Sequence, residues 1–164
     1  MGFTAYSRLV MGVPVTHADF FTVTGHHREC SRGHRQTAGS AEYCSQCGGK
    51  IATVDDEEPT VAFAQYAAKW DREPRELYAE LRDSDEPGVI GLFRGELVQS
   101  NTREDLKAVL ILGTLLSSVS SDHYQRGGPI RVDQLPIDRV HQTAQELGMH
   151  DRPVQLISFL YLSI

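Results

Sequence analysis

Long apolar runs are missing from this chain. The longest, near Val109–Leu116 and Leu156–Ile164, are strand-sized. Nothing approaches the roughly 18 uninterrupted apolar residues of a membrane-crossing helix. Positive charge is short as well: 16 Lys and Arg stand against 22 Asp and Glu, a net charge of −6. Such a chain repels nucleic acid on average, so any such binding is confined to local patches. The opening Met1-Gly2-Phe3-Thr4-Ala5-Tyr6 lacks the basic-then-apolar layout of a signal peptide. It also lacks the Ser or Thr at position six of a myristoylation signal, and a cytoplasmic protein is expected. There is no internal repeat and no low-complexity tract, which argues against a solenoid. Cysteine is scarce: the three in the chain all fall between residues 30 and 47.

What remains is ordinary globular composition, 40% hydrophobic and 23% charged over 164 residues. This suits one domain, residues 1–164, with its own core. The acidity is local. Residues 51–100 carry 12 acids against 5 bases, while residues 1–50 carry 3 against 5.

Periodicity predicts a strand over Thr4–Val15, where Leu9, Met11 and Val13 alternate with Arg8, Val10 and Gly12. Thr16-His17-Ala18-Asp19 has the form of a capping box. The β-branched run Thr22-Val23-Thr24 nevertheless argues for a short strand over Phe20–Thr24, broken at Gly25. Asp55–Thr60 reads as an acidic turn at a helix entry. A helix follows over Val61–Trp70, with Phe63, Tyr66, Ala67 and Trp70 on one face. Pro74 opens a second helix that reaches about Arg82, and Val89–Val98 is strand-like, with a weak point at Gly95. Residues 107–119 fit either a helical stripe or a strand apolar on both faces, and strand is slightly favoured. Pro136–Leu147 is a helix with Ile137, Val140, Ala144 and Leu147 inward, stopped by Gly148. Val154–Ile164 is a closing strand. The expected core includes Leu9, Met11, Phe63, Trp70, Val140, Leu147 and Phe159. Leaving out residues 25–51, the order is strand, helix, strand, strand, helix, strand. That order implies an α+β fold, a ferredoxin-like α/β sandwich of antiparallel sheet and two helices, with residues 25–51 as an inserted zinc knuckle.

The inserted segment carries the most specific signal. Cys30 and His34 are spaced C-x3-H; after nine residues Cys44 and Cys47 are spaced C-x2-C and continue into Gly48-Gly49-Lys50. Three thiolates and one imidazole fill a tetrahedral ion with no open position, the pattern of one structural Zn2+. His26 or His27 could take the place of His34. Buried free cysteines are the plain alternative, but the surroundings are polar, where a packed cysteine would sit in an apolar run. A catalytic zinc would need an open position, and three thiolates make the ion a poor Lewis acid.

The stretch Tyr43-Cys44-Ser45-Gln46-Cys47-Gly48-Gly49-Lys50-Ile51 resembles the second knuckle of zinc-ribbon and rubredoxin-like modules, over about residues 28–51 only. It departs from them at Cys30-Ser31-Arg32-Gly33-His34, where histidine replaces the usual second cysteine. The general layout resembles small bacteriophage-encoded proteins that join such a knuckle to a compact domain.

Other constellations are weaker. Ser121-Asp122-His123 and Arg126-Gly127-Gly128 read as a polar loop and a turn. His141 is a boundary histidine, His150-Asp151 a solvated turn, and Asp55–Glu58 a solvated entry to the helix. The residues therefore favour a zinc-binding, non-enzymatic interaction protein. It would present the basic rim Arg28, Arg32 and Arg35 to a macromolecular partner, expected to be a protein. The alternatives are a hydrolase or nuclease with its site at the metal or in residues 120–129, and a nucleic-acid-binding module.

Overall fold

The computed structural model describes residues 4–36, 39, 41–84, 86, 88–98, 106–120 and 136–163. The strand β1 (Thr4–Val15) ends in a single 3-10 turn at His17–Asp19. Next come β2 (Phe21–Cys30), β3 (Arg35–Gln36) and β4 (Ile51–Pro59), then the helices α1 (Val61–Lys69) and α2 (Pro74–Asp83). β5 (Ile90–Val98), β6 (Leu106–Ser120), α3 (Ile137–Glu146) and β7 (Gln155–Ser163) complete the order. The fold is mixed α+β, with two antiparallel sheets. No helix among the described residues is long and apolar enough to cross a membrane.

The larger sheet has the order β7-β1-β6-β5, every neighbour antiparallel. Among the described residues its two outer strands pair at Glu96 with Leu160, so the sheet curls and closes on itself. Curling gives it two apolar faces. Met11, Val13, Val15, Ile90, Leu92 and Leu112 pack with Phe63, Ala67, Leu77, Leu81, Val140, Ala144 and Leu147 of the helical layer. The alternate residues Val10, Phe93, Ile111, Leu115, Ile157 and Phe159 form a second cluster. This explains why the middle of residues 107–119 shows no polar alternation: Ile111–Leu115 of β6 is buried on both sides, and the strand reading is correct. Gly95 is the position that lets the curl close. A Cβ built there would lie 1.8 Å from Cδ2 of Phe159, so the aromatic ring occupies the space a side chain would need.

The smaller sheet, β3-β2-β4, is a hairpin that carries the cysteine segment at its far end. Two expectations fail here. Gly25 does not end a short strand: β2 runs on to Cys30, with only a register shift between Val23 and Gly25, a bulge. Asp55–Thr60 is not an acidic turn, because Ile51–Pro59 is a strand. Its carboxylates meet histidines across the ladder. His26 Nδ1 lies 2.7 Å from Asp55 and His27 Nδ1 2.8 Å from Asp56, so cross-strand pairing offsets the low strand propensity of the acids.

The helices lie close to expectation. Thr60 caps α1, its hydroxyl accepting from the Phe63 amide, and Pro74 opens α2. The inward lists need correction. Trp70 is 62% exposed, because α1 ends at Lys69 and the chain turns away through Asp71 in the left-handed region (φ 53°). Ile137, at the first residue of α3, is 44% exposed. Leu9 is half-buried beside a bulge in β1. Gly148 does stop α3, at φ 80°.

An aromatic knot joins the hairpin to the helices. Phe20, Phe21, Phe63 and Tyr78 make mutual edge contacts at centroid distances of 5.2–6.3 Å, and His17 stacks on Phe21 at 5.1 Å. Arg152 fastens the 3-10 turn from the other side. It donates to both carboxylate oxygens of Asp19, at 2.8 and 2.5 Å, and to the Pro14 carbonyl at 2.9 Å. Burial raises the Asp19 carboxyl, but Arg152 and Thr16 outweigh it and hold the pKa below its ordinary 3.8.

Candidate metal centre

Cys30 is the last residue of β2, and Ile51, paired with it, is the first of β4. The chain between them folds back twice. At the first turn the Gly33 amide donates to the Cys30 carbonyl at 2.9 Å, and the Cys30 amide to the His34 carbonyl at 3.2 Å. At the second, the Gly48 amide donates to the Cys44 carbonyl and the Cys44 amide to the Gly49 carbonyl, both at 2.8 Å. Gly48 takes φ 68°, a conformation that residues with a Cβ adopt only under strain. A bridge between Tyr43 and Lys50 closes the base of this second turn.

These turns bring the donor atoms of Cys30, His34, Cys44 and Cys47 within 4.8 Å of one another. The Cys30 and Cys47 sulfurs are 3.5 Å apart, and His34 Nδ1 is 3.6 Å from Cys44 Sγ. A tetrahedral zinc with Zn–S of about 2.3 Å and Zn–N of about 2.0–2.1 Å has edges of roughly 3.8 Å (S to S) and 3.6 Å (N to S). The spacing is therefore that of a shared ion and far outside the roughly 2.05 Å of a disulfide. Nδ1 is the imidazole nitrogen turned toward the sulfurs, the one that would bind an ion.

The surroundings favour ionisation at Cys30 and oppose it at Cys47. Burial works against ionising Cys30, but the Arg32 and His34 amides and the neighbouring thiols Cys47 and Cys44 overcome it, and its pKa falls to about 6. At Cys47 the Gly49 amide favours the thiolate, yet burial and the nearby Cys30 and Cys44 outweigh it and raise the pKa. Packed sulfurs of like charge repel until a cation sits between them. Gln36 contributes a donor that sequence reasoning did not single out: its Nε2 lies 3.4 Å from Cys44 Sγ. Such a bond orients a ligand and moderates its charge. Its signal in the sequence was position alone, two residues after His34.

The alternative histidines are occupied elsewhere. His26 is held by Asp55. His27 lies between Asp56 at Nδ1 and Glu29 at Nε2, 2.8 and 3.0 Å away. Of the basic rim, Arg28 is drawn into the fold, donating to the Gly39 and Ala41 carbonyls. Arg35 is exposed and approaches Asp56 at 3.5 Å, and Arg32 is exposed. Ser121-Asp122-His123, Arg126-Gly127-Gly128 and most of the 120–129 loop lie outside the described residues. His141 is exposed, with Gln145 Nε2 3.4 Å away, and His150-Asp151 is an exposed turn.

No protein family, curated protein or solved structure matches this chain. The resemblance of residues 28–51 to a zinc knuckle thus stands on the four-donor cluster. The likeness to small bacteriophage proteins has no matched relative behind it.

Proposed function

We propose that this is a zinc protein whose single ion is structural and whose knuckle presents a contact surface to an acidic protein partner. The observation that carries the reading is the closed donor set. Cys30, His34, Cys44 and Cys47 together use all four tetrahedral positions, so substrate and water have no way onto the ion. Three thiolates also supply enough negative charge to blunt its Lewis acidity. A reducing compartment such as the cytoplasm keeps these thiols free for metal.

The scaffold we read as ferredoxin-like, with the β2–β4 hairpin inserted between its first strand and first helix. The order β7-β1-β6-β5, all antiparallel, supports this, and the touching of β5 and β7 is a departure from it. Arg32 and Arg35 are exposed cations beside the ligands and form the contact rim; Arg28 braces the loop behind them.

Elemental analysis of protein purified without chelator should return about one zinc per chain, and no bound metal would overturn the reading. Arg32→Ala with Arg35→Ala should leave zinc content unchanged and reduce partner recovery from lysate, the more so at low salt. Equal recovery would remove the rim as the contact surface.

A further inference from the structure

Away from the knuckle, a cleft of about 430 Å³ opens where β1 gives way to the 3-10 turn. Its size is within the range of small-molecule sites. Val15, Val109 and Leu110 supply apolar walls, and four side chains bring polar chemistry to it: His17, Tyr78, Arg82 and Arg94.

The two arginines set the charge preference. None of the described lining residues is acidic. Arg35, Arg72 and Arg152 each have a carboxylate within 4 Å, whereas Arg82 and Arg94 have none among the described residues. In a chain of net charge −6, this cleft thus carries two guanidinium groups, with the Glu57 carboxylate behind it engaged by His17. Guanidinium groups recognise carboxylates and phosphates through paired N–H donors.

Tyr78 is held in place by a chain of hydrogen bonds. Glu57 Oε1 lies 2.9 Å from His17 Nε2, and a carboxylate only accepts, so Nε2 carries a proton. His17 Nδ1 then faces the Tyr78 hydroxyl at 3.1 Å. When Nδ1 is bare the Tyr78 hydroxyl spends its one proton on His17, and when Nδ1 also carries a proton it donates to the Tyr78 oxygen and leaves the O–H free to donate to an anion. Edge contacts with Phe20 and Phe21 at 5.2 Å fix the phenol ring. Pre-set polar groups above apolar walls are the layout of a binding site rather than of a packing gap.

We propose that this cleft binds a small anion with an apolar body, a phosphate monoester or a carboxylate. Arg82 and Arg94 hold the anion, and Tyr78, positioned by a His17 ring that carries protons on both nitrogens beside Glu57, donates its hydroxyl to it. The site is separate from the metal centre and does not depend on how the knuckle is used.

The test is an amide-resolved NMR titration of the full, metal-loaded chain. The probes are phenyl phosphate, benzoate, inorganic phosphate and neutral benzyl alcohol. One or both aromatic anions should give saturable shifts at residues 15–17, 78–82 and 108–110, and which one does so assigns the anion class. Arg82→Gln with Arg94→Gln should weaken that binding at least tenfold, and Tyr78→Phe several-fold. Both arginines are exposed, so the double variant should keep the wild-type spectrum elsewhere; if it does not fold, the two single variants carry the test. Absence of shifts from both aromatic anions would overturn the proposal. So would shifts centred elsewhere, equal binding by benzyl alcohol or inorganic phosphate, or undiminished binding by the glutamine variants.

Discussion

Stripping the metal should release the knuckle and leave the curled sheet standing. The packing around the cysteines is small: Cys30, Cys44 and Ile51 are its buried members, with Cys47 against them. Ile51 is the only large aliphatic side chain there, and its burial contributes about 1.5–3 kcal/mol. The turn hydrogen bonds add about 0.5–1.5 kcal/mol each. A structural zinc held by four such ligands supplies about 10–16 kcal/mol at neutral pH. A zinc bound by the cluster would therefore be the dominant local term. The main cluster runs from Met11 to Met149 and includes no cysteine, so it does not depend on the ion. Hydrogen exchange read by mass spectrometry, before and after strong chelation, tests this directly. Peptides within residues 31–50 should lose protection, including the Gly33, Cys44 and Gly48 amides, while β1 and β6 keep theirs. Cys47→Ser should reproduce the pattern without chelator. Unchanged exchange in residues 31–50 would show that the knuckle folds without metal. Loss of protection throughout the chain would show that ion and main core form one cooperative unit, and either result refutes the reasoning.

Two further perturbations test the scaffold. Gly95→Ala places a methyl group inside the Phe159 ring position and should cost about 3 kcal/mol in urea unfolding, between overpacking and outright loss of a buried phenylalanine. Adding Phe159→Ala should then cost far less than it does alone, and an additive double-mutant cycle would disprove the packing argument. Asp19→Asn should cost about 2 kcal/mol at neutral pH by breaking charge-assisted bonds to Arg152. Because the folded-state pKa of Asp19 lies below its ordinary 3.8, this stabilisation is present above that value and is lost as pH falls through the folded pKa. The gap between wild type and variant should accordingly close in acid, and a gap that is constant with pH would contradict the sign.

The sequence carried the order of the elements outside the β2–β4 hairpin because most of them have one apolar face and a clear end signal, such as Thr60 before α1, Pro74 in α2 and Gly148 after α3. The four metal donors were legible for a different reason: chelation fixes their spacing whatever the rest of the chain does. What stayed hidden depends on contacts between distant residues. The acids of β4 read as a turn because His26 and His27, which pair with them, sit 29 residues earlier. Trp70 fits the helical stripe by spacing alone, but the helix ends one residue before it. The His17–Glu57 pair spans 40 residues and the His17–Tyr78 pair 61, so no local motif announces that constellation.

The proposed anion cleft is tied through Glu57 to the strand that leads from the metal cluster, which makes their independence testable. Glu57 lies on β4, which begins at Ile51 beside the ligands. Fraying from the metal end must therefore stop short of Glu57 if the cleft is to survive chelation. Several restraints favour such a stop. Glu57 pairs with Val23 on β2, its carbonyl accepts from Arg75 at 3.0 Å, and its carboxylate is held by His17. Two residues on, Pro59 pairs with Phe21, and the Thr60 amide donates to the Phe20 carbonyl at 2.9 Å, inside the aromatic knot. The base of the hairpin is thus anchored by the main core and only its tip by the ion. Affinity for the aromatic anion that binds the intact chain should consequently change by less than about twofold when the metal is removed, since a twofold change corresponds to only about 0.4 kcal/mol. A tenfold loss, with the main-sheet amides still protected, would show that the hairpin opens down to Glu57 and that the ion sets the geometry of the cleft.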